Sequence, residues 1–193
     1  MVTPFQISEL KEAISPLAKL SQSYEMLPDK ILNKSLCLSM AEKLEINDGL
    51  SSAEKKAIKE ATGWSDKILD SIRTKEEADI YINAGLVESR VNGKPALIQP
   101  KLDGKACNDP NWPEHSNKDL ASHGYSPLDS YGRPYELHHI GQHPDSPLAE
   151  LTQEQHRGMG NFNVLHTFDE SIIDRQKFNQ ERQDYWKDRA NTL

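Results

Sequence analysis

Histidine is the residue type whose placement in this chain suggests chemistry. All seven histidines lie between His115 and His166, and five fall between His138 and His166. Neutral imidazole binds divalent metal ions and accepts a proton near neutral pH. The densest stretch is Pro134-Tyr135-Glu136-Leu137-His138-His139-Ile140-Gly141-Gln142. Adjacent residues of a strand point to opposite faces, so one histidine facing a metal would turn the other away. At a strand end or bulge the twist changes, and both can converge on one site. Gly141, Pro144 and Pro147 end the strand directly after this pair. His156 and His166 follow on or after the next helical segment, and together these imidazoles suffice for a metal site with open positions. Such a site suits phosphodiester hydrolysis. A histidine takes the proton of the attacking water, and a divalent cation stabilises the charge that grows on the phosphoryl and leaving oxygens.

Several elements must position these residues. Ile7, Leu10, Ile14, Leu17 and Leu20 recur at helical spacing, interrupted by Pro16, and Pro28 opens a second helix through Ile31, Leu36, Met40 and Leu44. Ser51 with Glu54 has the spacing of a capping box, and Gly63 stops that helix. Ser65 caps a short helix carrying Ile68, Leu69 and Ile72. Thr74 with Glu77 repeats the capping-box pattern in a helix ended by Gly85. Asn92-Gly93 between Leu86–Val91 and Lys94–Ile98 predicts a β-hairpin. From Gln99 to Arg133 the chain reads as a long irregular stretch. Tyr135–Ile140 and Leu148–Leu151 read as paired strands, Thr152 as the cap of a helix through His156, and Asp169–Ala190 as a final helix with Phe178, Tyr185 and Trp186 on its apolar face.

Composition narrows the function classes. No apolar run approaches the length of a transmembrane helix. The start of the chain lacks the basic and apolar stretches of a signal peptide, which predicts a protein made in the cytoplasm. The two cysteines, Cys37 and Cys107, are far apart and offer neither a disulfide framework nor a cysteine-based zinc site. The formal net charge of −7 weighs against nucleic-acid binding, because phosphate contacts normally come from a surplus of Lys and Arg.

Against that balance stands a resemblance. Leu137-His138-His139 resembles the signature of the LHH group of HNH/endonuclease VII nucleases, which occur as toxin domains of bacterial polymorphic toxins. Residues 135–166, YELHHIGQHPDSPLAELTQEQHRGMGNFNVLH, are similar to that group's core in order and spacing. The upstream TGWSDKILDSIR with the Asn-Gly hairpin, and the tail Ile173 to Ala190, also resemble the group, so the likeness runs from about Ser51 to Ala190. It implies an α+β domain at 51–193. A helical part and a β-hairpin would precede a ββα-metal core at about 134–168, closed by a C-terminal helix. Residues 1–50 would be a helical extension of unknown role. The resemblance implies that His138, His156 and His166 hold one divalent ion (Mg, Mn, Zn or Ni) and that His139 is the general base. Asn161 or Asn163 would orient the base or tether a loop. Glu136 would hold a ligand histidine or join the site, and Arg157 would contact phosphate.

Bland alternatives stand beside these roles. His138 and His139 are also readable as two strand histidines, one buried and one exposed, and Asn161 and Asn163 as turn formers beside Gly158 and Gly160. His115, His123 and His143 read as structural or solvated. Arg175, Lys177, Arg182, Lys187 and Arg189 alternate with acids and read as a solvated helix face. Three functions follow: a metal-dependent DNA endonuclease acting as a toxin inside a target bacterium and neutralised by an immunity protein, an RNase toxin with the same site, or a non-enzymatic histidine-rich metal module.

Overall fold

The computed structural model describes residues 49–158, 160–166 and 173–193. The helices expected between Ile7 and Leu44, and with them the extension 1–50 apart from its last two residues, lie outside that range. The helical punctuation read from the sequence forms as expected at the start of the described chain. In α1 (Ser52–Thr62) the Ser51 side chain accepts from Glu54 N–H while the Glu54 carboxylate accepts from Ser51 N–H, and Gly63 follows at φ 75°. Helix α2 (Asp66–Leu69) begins after Ser65, whose side chain makes no cap. Instead Ser65 N–H and its hydroxyl both donate to Glu88. Helix α3 (Lys75–Asn83) has only half of the expected capping box. Thr74 accepts from Glu77 N–H, but the Glu77 carboxylate turns into the core.

The hairpin β1 (Val87–Val91) and β2 (Lys94–Ile98) turns at Asn92 and Gly93, both at positive φ as a tight primed turn requires. The stretch 99–133 is not wholly irregular. Asn117–Ser122 forms helix α4, capped by a full Ser116/Asp119 box. Strand β3 (Glu136–His139) pairs antiparallel with β4 (Leu148–Leu151), and β4 pairs parallel with β2, giving one four-stranded sheet in the order β1-β2-β4-β3. Helices α5 (Gln153–Arg157) and α6 (Asn161–Leu165) follow. The last helix, α7 (Arg175–Arg189), starts later than the sequence suggested, because Asp174 is its N-cap and holds the N–H groups of Gln176 and Lys177. The fold is thus α+β, a small four-stranded sheet with a C-terminal helix, consistent with the expected ββα-metal fold. No helix among the described residues is long and apolar enough to cross a membrane.

Strand alternation gives the sheet two packed faces. On one, Trp64, Ile68, Leu69, Ile72 and Tyr81 pack with Leu97, Ile140, Leu151 and Leu165. On the other, Ala96, Leu137 and Leu148 pack with Tyr185 and Trp186 of α7. Each face is also tied by a buried carboxylate. Glu77 accepts from Tyr81 Oη–H at 2.7 Å, Gly141 N–H at 2.8 Å and Arg73 N–H at 2.9 Å. Glu150 accepts from Gln99 N–H, Tyr185 Oη–H and Arg189 Nε–H. Burial pushes the Glu150 carboxyl up, and Arg189 with the other donors pulls it back. Arg189 is therefore a core cation and not part of a solvated face.

The turn after β3 depends on Gly141. Its φ is +69°, and a Cβ there would lie 2.2 Å from the carbonyl oxygen of Ser71. Left-handed backbone costs an L-residue roughly 1–2 kcal/mol before any clash. Gly141→Ala is expected to destabilise the protein by about 2 kcal/mol or more, measured as a lowered urea midpoint at unchanged slope.

Candidate metal centre

Strand β3 carries Glu136 and His138 toward α5 and α6, and Leu137 and His139 toward α7. Helix α5 is launched by a complete Thr152/Gln155 capping box, which brings His156 back over β3. The next helix, α6, ends at Leu165 with His166 as its C-cap. Asn161 ties the two helices together, since its Nδ2–H donates to Gln155 O at 2.8 Å. Asn163 is exposed, and its backbone N–H donates to Gly160 O.

His138, His156 and His166 converge, each offering a ring nitrogen within 4.8 Å of the others. Their ring centroids are 4.9–5.1 Å apart. Two of the three have the outer nitrogen already engaged. His156 Nδ1–H donates to Glu136 Oε2 at 2.6 Å, and His166 Nδ1–H donates to Phe162 O at 3.0 Å. Each of these rings is thereby left with a lone pair on Nε2, the arrangement of a metal ligand fixed by an outer hydrogen bond. The Nε2 of His156 lies 3.2 Å from His138 Nδ1. Two nitrogens on one tetrahedral zinc-like ion would be roughly 3.3 Å apart. His138 Nε2 is buried and has no partner among the described residues. The Nε2 lone pair of His156 and the Nδ1 of His138 thus face each other at a spacing that a shared cation fits.

Electrostatics favour neutral rings. Burial holds His138 well below the ordinary value of 6.5, and the neighbouring His156, His166 and His139 add to this. Burial also lowers His156, against the opposing pull of Glu136, and it lowers His166. Arg73 and Arg157 both act on His166. Arg157 is bonded to Glu136 through Nε at 2.9 Å and Nη2 at 2.5 Å, while its side chain stays 64% exposed. Arg73 arrives from the loop between α2 and α3. It donates from Nη2 to Val164 O, and its Nε is buried without a hydrogen bond, 3.8 Å from Glu77.

His139 takes the other face. Its ring is 1% exposed, with Nε2 3.1 Å from Glu181 Oε2 and the ring centroid 4.5 Å from that of Phe178. Its Nδ1 is buried without a partner among the described residues. A cleft of about 650 Å³ opens beside it, with Asp145, Asp174, Glu181 and Asp184 set against Lys94 and Lys177. The bond from His139 keeps Glu181 below the usual carboxylate range. The structure therefore brings His138, His156, His166, Glu136 and Arg157 together, and it sets His139 across the strand. Convergence of both adjacent histidines on one face does not occur, because β3 keeps its regular pairing with β4 through His139. Two residues of the surroundings, Glu181 and Arg73, were not singled out from the sequence. One is a glutamate in a mixed-charge helix and the other an arginine before a cap, and neither pattern carries a signal. His143 and His123 are exposed, as expected.

Residues 116–192 match the family model for LHH, a nuclease of the HNH/ENDO VII superfamily with conserved LHH. This segment is similar to the LHH nucleases. The match holds Glu136, the histidine cluster, His139 and α7, but it leaves out α1 to β2, where the sequence likeness had been extended. No curated protein and no solved structure matches the chain.

Two predictions follow from this geometry. Glu136→Ala is expected to weaken Zn²⁺ or Ni²⁺ binding by about 10–100-fold, read by titration calorimetry, because His156 loses its orienting acceptor. Unchanged affinity would remove His156 from the ligand set. The second concerns pH in the metal-free protein. All three rings sit below 6.5 in the fold, so under that value the unfolded chain takes up protons that the folded chain does not. Stability is full above pH 6.5 and is lost as pH falls below it. Urea midpoints in EDTA at pH 7.5 and 5.5 should show this drop, with a smaller one in His138→Gln.

Proposed function

We propose that this protein is a nuclease of the LHH kind, a metal-dependent endonuclease that hydrolyses DNA, leaving a 5′-phosphate and a 3′-hydroxyl. The observation that carries the reading is the meeting of His138, His156 and His166 at one point, one residue away from His139. In-line displacement at phosphorus needs a proton acceptor on the side of the attacking water and charge stabilisation on the side of the leaving oxygen. Adjacent residues at the end of β3 supply the two sides, because strand alternation turns His138 and His139 apart. On the His139 side, the imidazole is the acceptor of the water proton. On the other side, a divalent cation held by His138, His156 and His166 would supply positive charge to the leaving and phosphoryl oxygens.

The remaining residues have supporting parts. Glu136 and the Phe162 carbonyl orient ligand rings, Asn161 fixes α5 against α6, and Arg157 presents an exposed guanidinium beside them. The acidic net charge is then less of an obstacle. Arg73 and Arg157 flank the histidine cluster, whereas acids predominate in the His139 cleft, so the phosphate backbone approaches from the arginine side. Three converging histidines are the protein ligand number of a catalytic metal site, and this supports the enzymatic reading over the non-enzymatic module. The toxin role, action in the cytoplasm of a target bacterium and neutralisation by an immunity protein are supported by the likeness to toxin domains alone.

The test is cleavage of supercoiled plasmid by the full chain with Mg²⁺, Mn²⁺, Ni²⁺ or Zn²⁺, alongside a structured RNA. DNA nicking is expected to vanish with EDTA and to fall by at least about 100-fold in a folded His139→Ala variant. Cleavage of RNA alone would move the activity to the RNase reading. A wild-type chain that binds metal and cuts neither would leave the non-enzymatic module.

A further inference from the structure

The C-terminal helix reaches the ring of His139 and grips it from two sides. One turn apart on α7, Phe178 packs against the ring at a tilt of 49° and Glu181 meets its edge, the i, i+3 spacing that places two side chains over one point. We infer that Glu181 is a positioning residue: by accepting the Nε2–H of His139, its carboxylate holds the ring in the tautomer whose lone pair is on Nδ1. This rests on the reading of His139 as the proton acceptor.

The argument is one of donors and acceptors. A neutral imidazole has one N–H and one lone pair, and an ionised carboxylate only accepts. At 3.1 Å the Nε2···Oε2 contact therefore fixes the proton on Nε2. The lone pair then falls on Nδ1, which is buried and bonded to nothing else among the described residues. Glu181 is itself held, since Lys94 of β2 reaches its Oε1 at 3.4 Å. The helix behind it is fixed at its far end by Tyr185 and Arg189 on the buried Glu150, and by Asp188 accepting from Asn92 N–H. Ring, carboxylate and helix thus form one rigid assembly, whose partners come from β2, β4 and the hairpin turn. Without the carboxylate both tautomers of His139 become accessible, and the ring loses its only polar partner among the described residues.

The experiment uses the full-length chain with Zn²⁺ bound. Two-bond ¹H–¹⁵N correlations report the tautomer of each histidine, and the His139→Ala spectrum assigns His139. The wild type should show the Nε2–H form. Glu181→Ala should show a mixture, with kcat for plasmid nicking down at least about ten-fold and KM little changed. Glu181→Gln, whose amide oxygen still accepts, should keep the tautomer and lie between the two in rate, and it serves as the variant of record should Glu181→Ala unfold. In the His139→Ala background, loss of Glu181 should cost nothing more. An Nδ1–H tautomer in the wild type, or an unchanged tautomer in Glu181→Ala, would overturn the inference. So would a further loss in the double variant. Should the wild type cut no nucleic acid, the proposed function fails, and the tautomer measurement alone still decides where Glu181 holds the proton.

Discussion

Adjacent side chains of a β-strand point apart, and in this protein that constraint separates two histidines which sequence places side by side. His138 is delivered to a cluster with His156 and His166, and His139 to a carboxylate on the last helix. Everything else serves to keep β3 regular and both of its faces covered. Were the strand to bulge at His138, both rings would crowd one side.

Covering two faces of so small a sheet with polar helices takes more than apolar contact. Helix α7 is rich in charge, yet it docks through Tyr185 and Trp186 and through Arg189 on Glu150. Such a buried pair is costly to desolvate and tolerable only when its other donors and acceptors are met. Here the Glu150 oxygens gather donors from a backbone amide, a phenol and a guanidinium. Glu77 does the same on the opposite face, tying α3 to the Gly141 turn. One buried acid thus anchors the turn that follows the histidine pair, and another anchors the helix that holds His139. Loosening either would shift a ring nitrogen without touching the site itself.

The hairpin gains meaning only within the sheet. Its second strand pairs parallel to β4, extending the β3–β4 pair to four strands and bringing Lys94 against Glu181. Residues outside the LHH match therefore contribute to the site, through Lys94, Arg73 and Glu77.

What the sequence determined by itself was local. Caps within three residues, an Asn-Gly turn and a Gly-ended strand act over one or two turns of chain, and the Ser51/Glu54 box, the hairpin and the β3–β4 pair are as read. The same rule would have found α4, since Ser116 and Asp119 have box spacing within a stretch read as irregular. The histidine cluster was legible because strand, turn and helix lie close together in sequence. Tertiary structure alone decided the rest: the parallel β2–β4 pairing, the burial of Glu77, Glu150 and Arg189, and the meeting of Glu181 with His139. A carboxylate's role depends on which donors reach it in the packed fold, and those donors come from segments up to 96 residues away, as between Asn92 and Asp188. No local pattern encodes such distant partners, because the burial that makes them matter exists only in the packed fold.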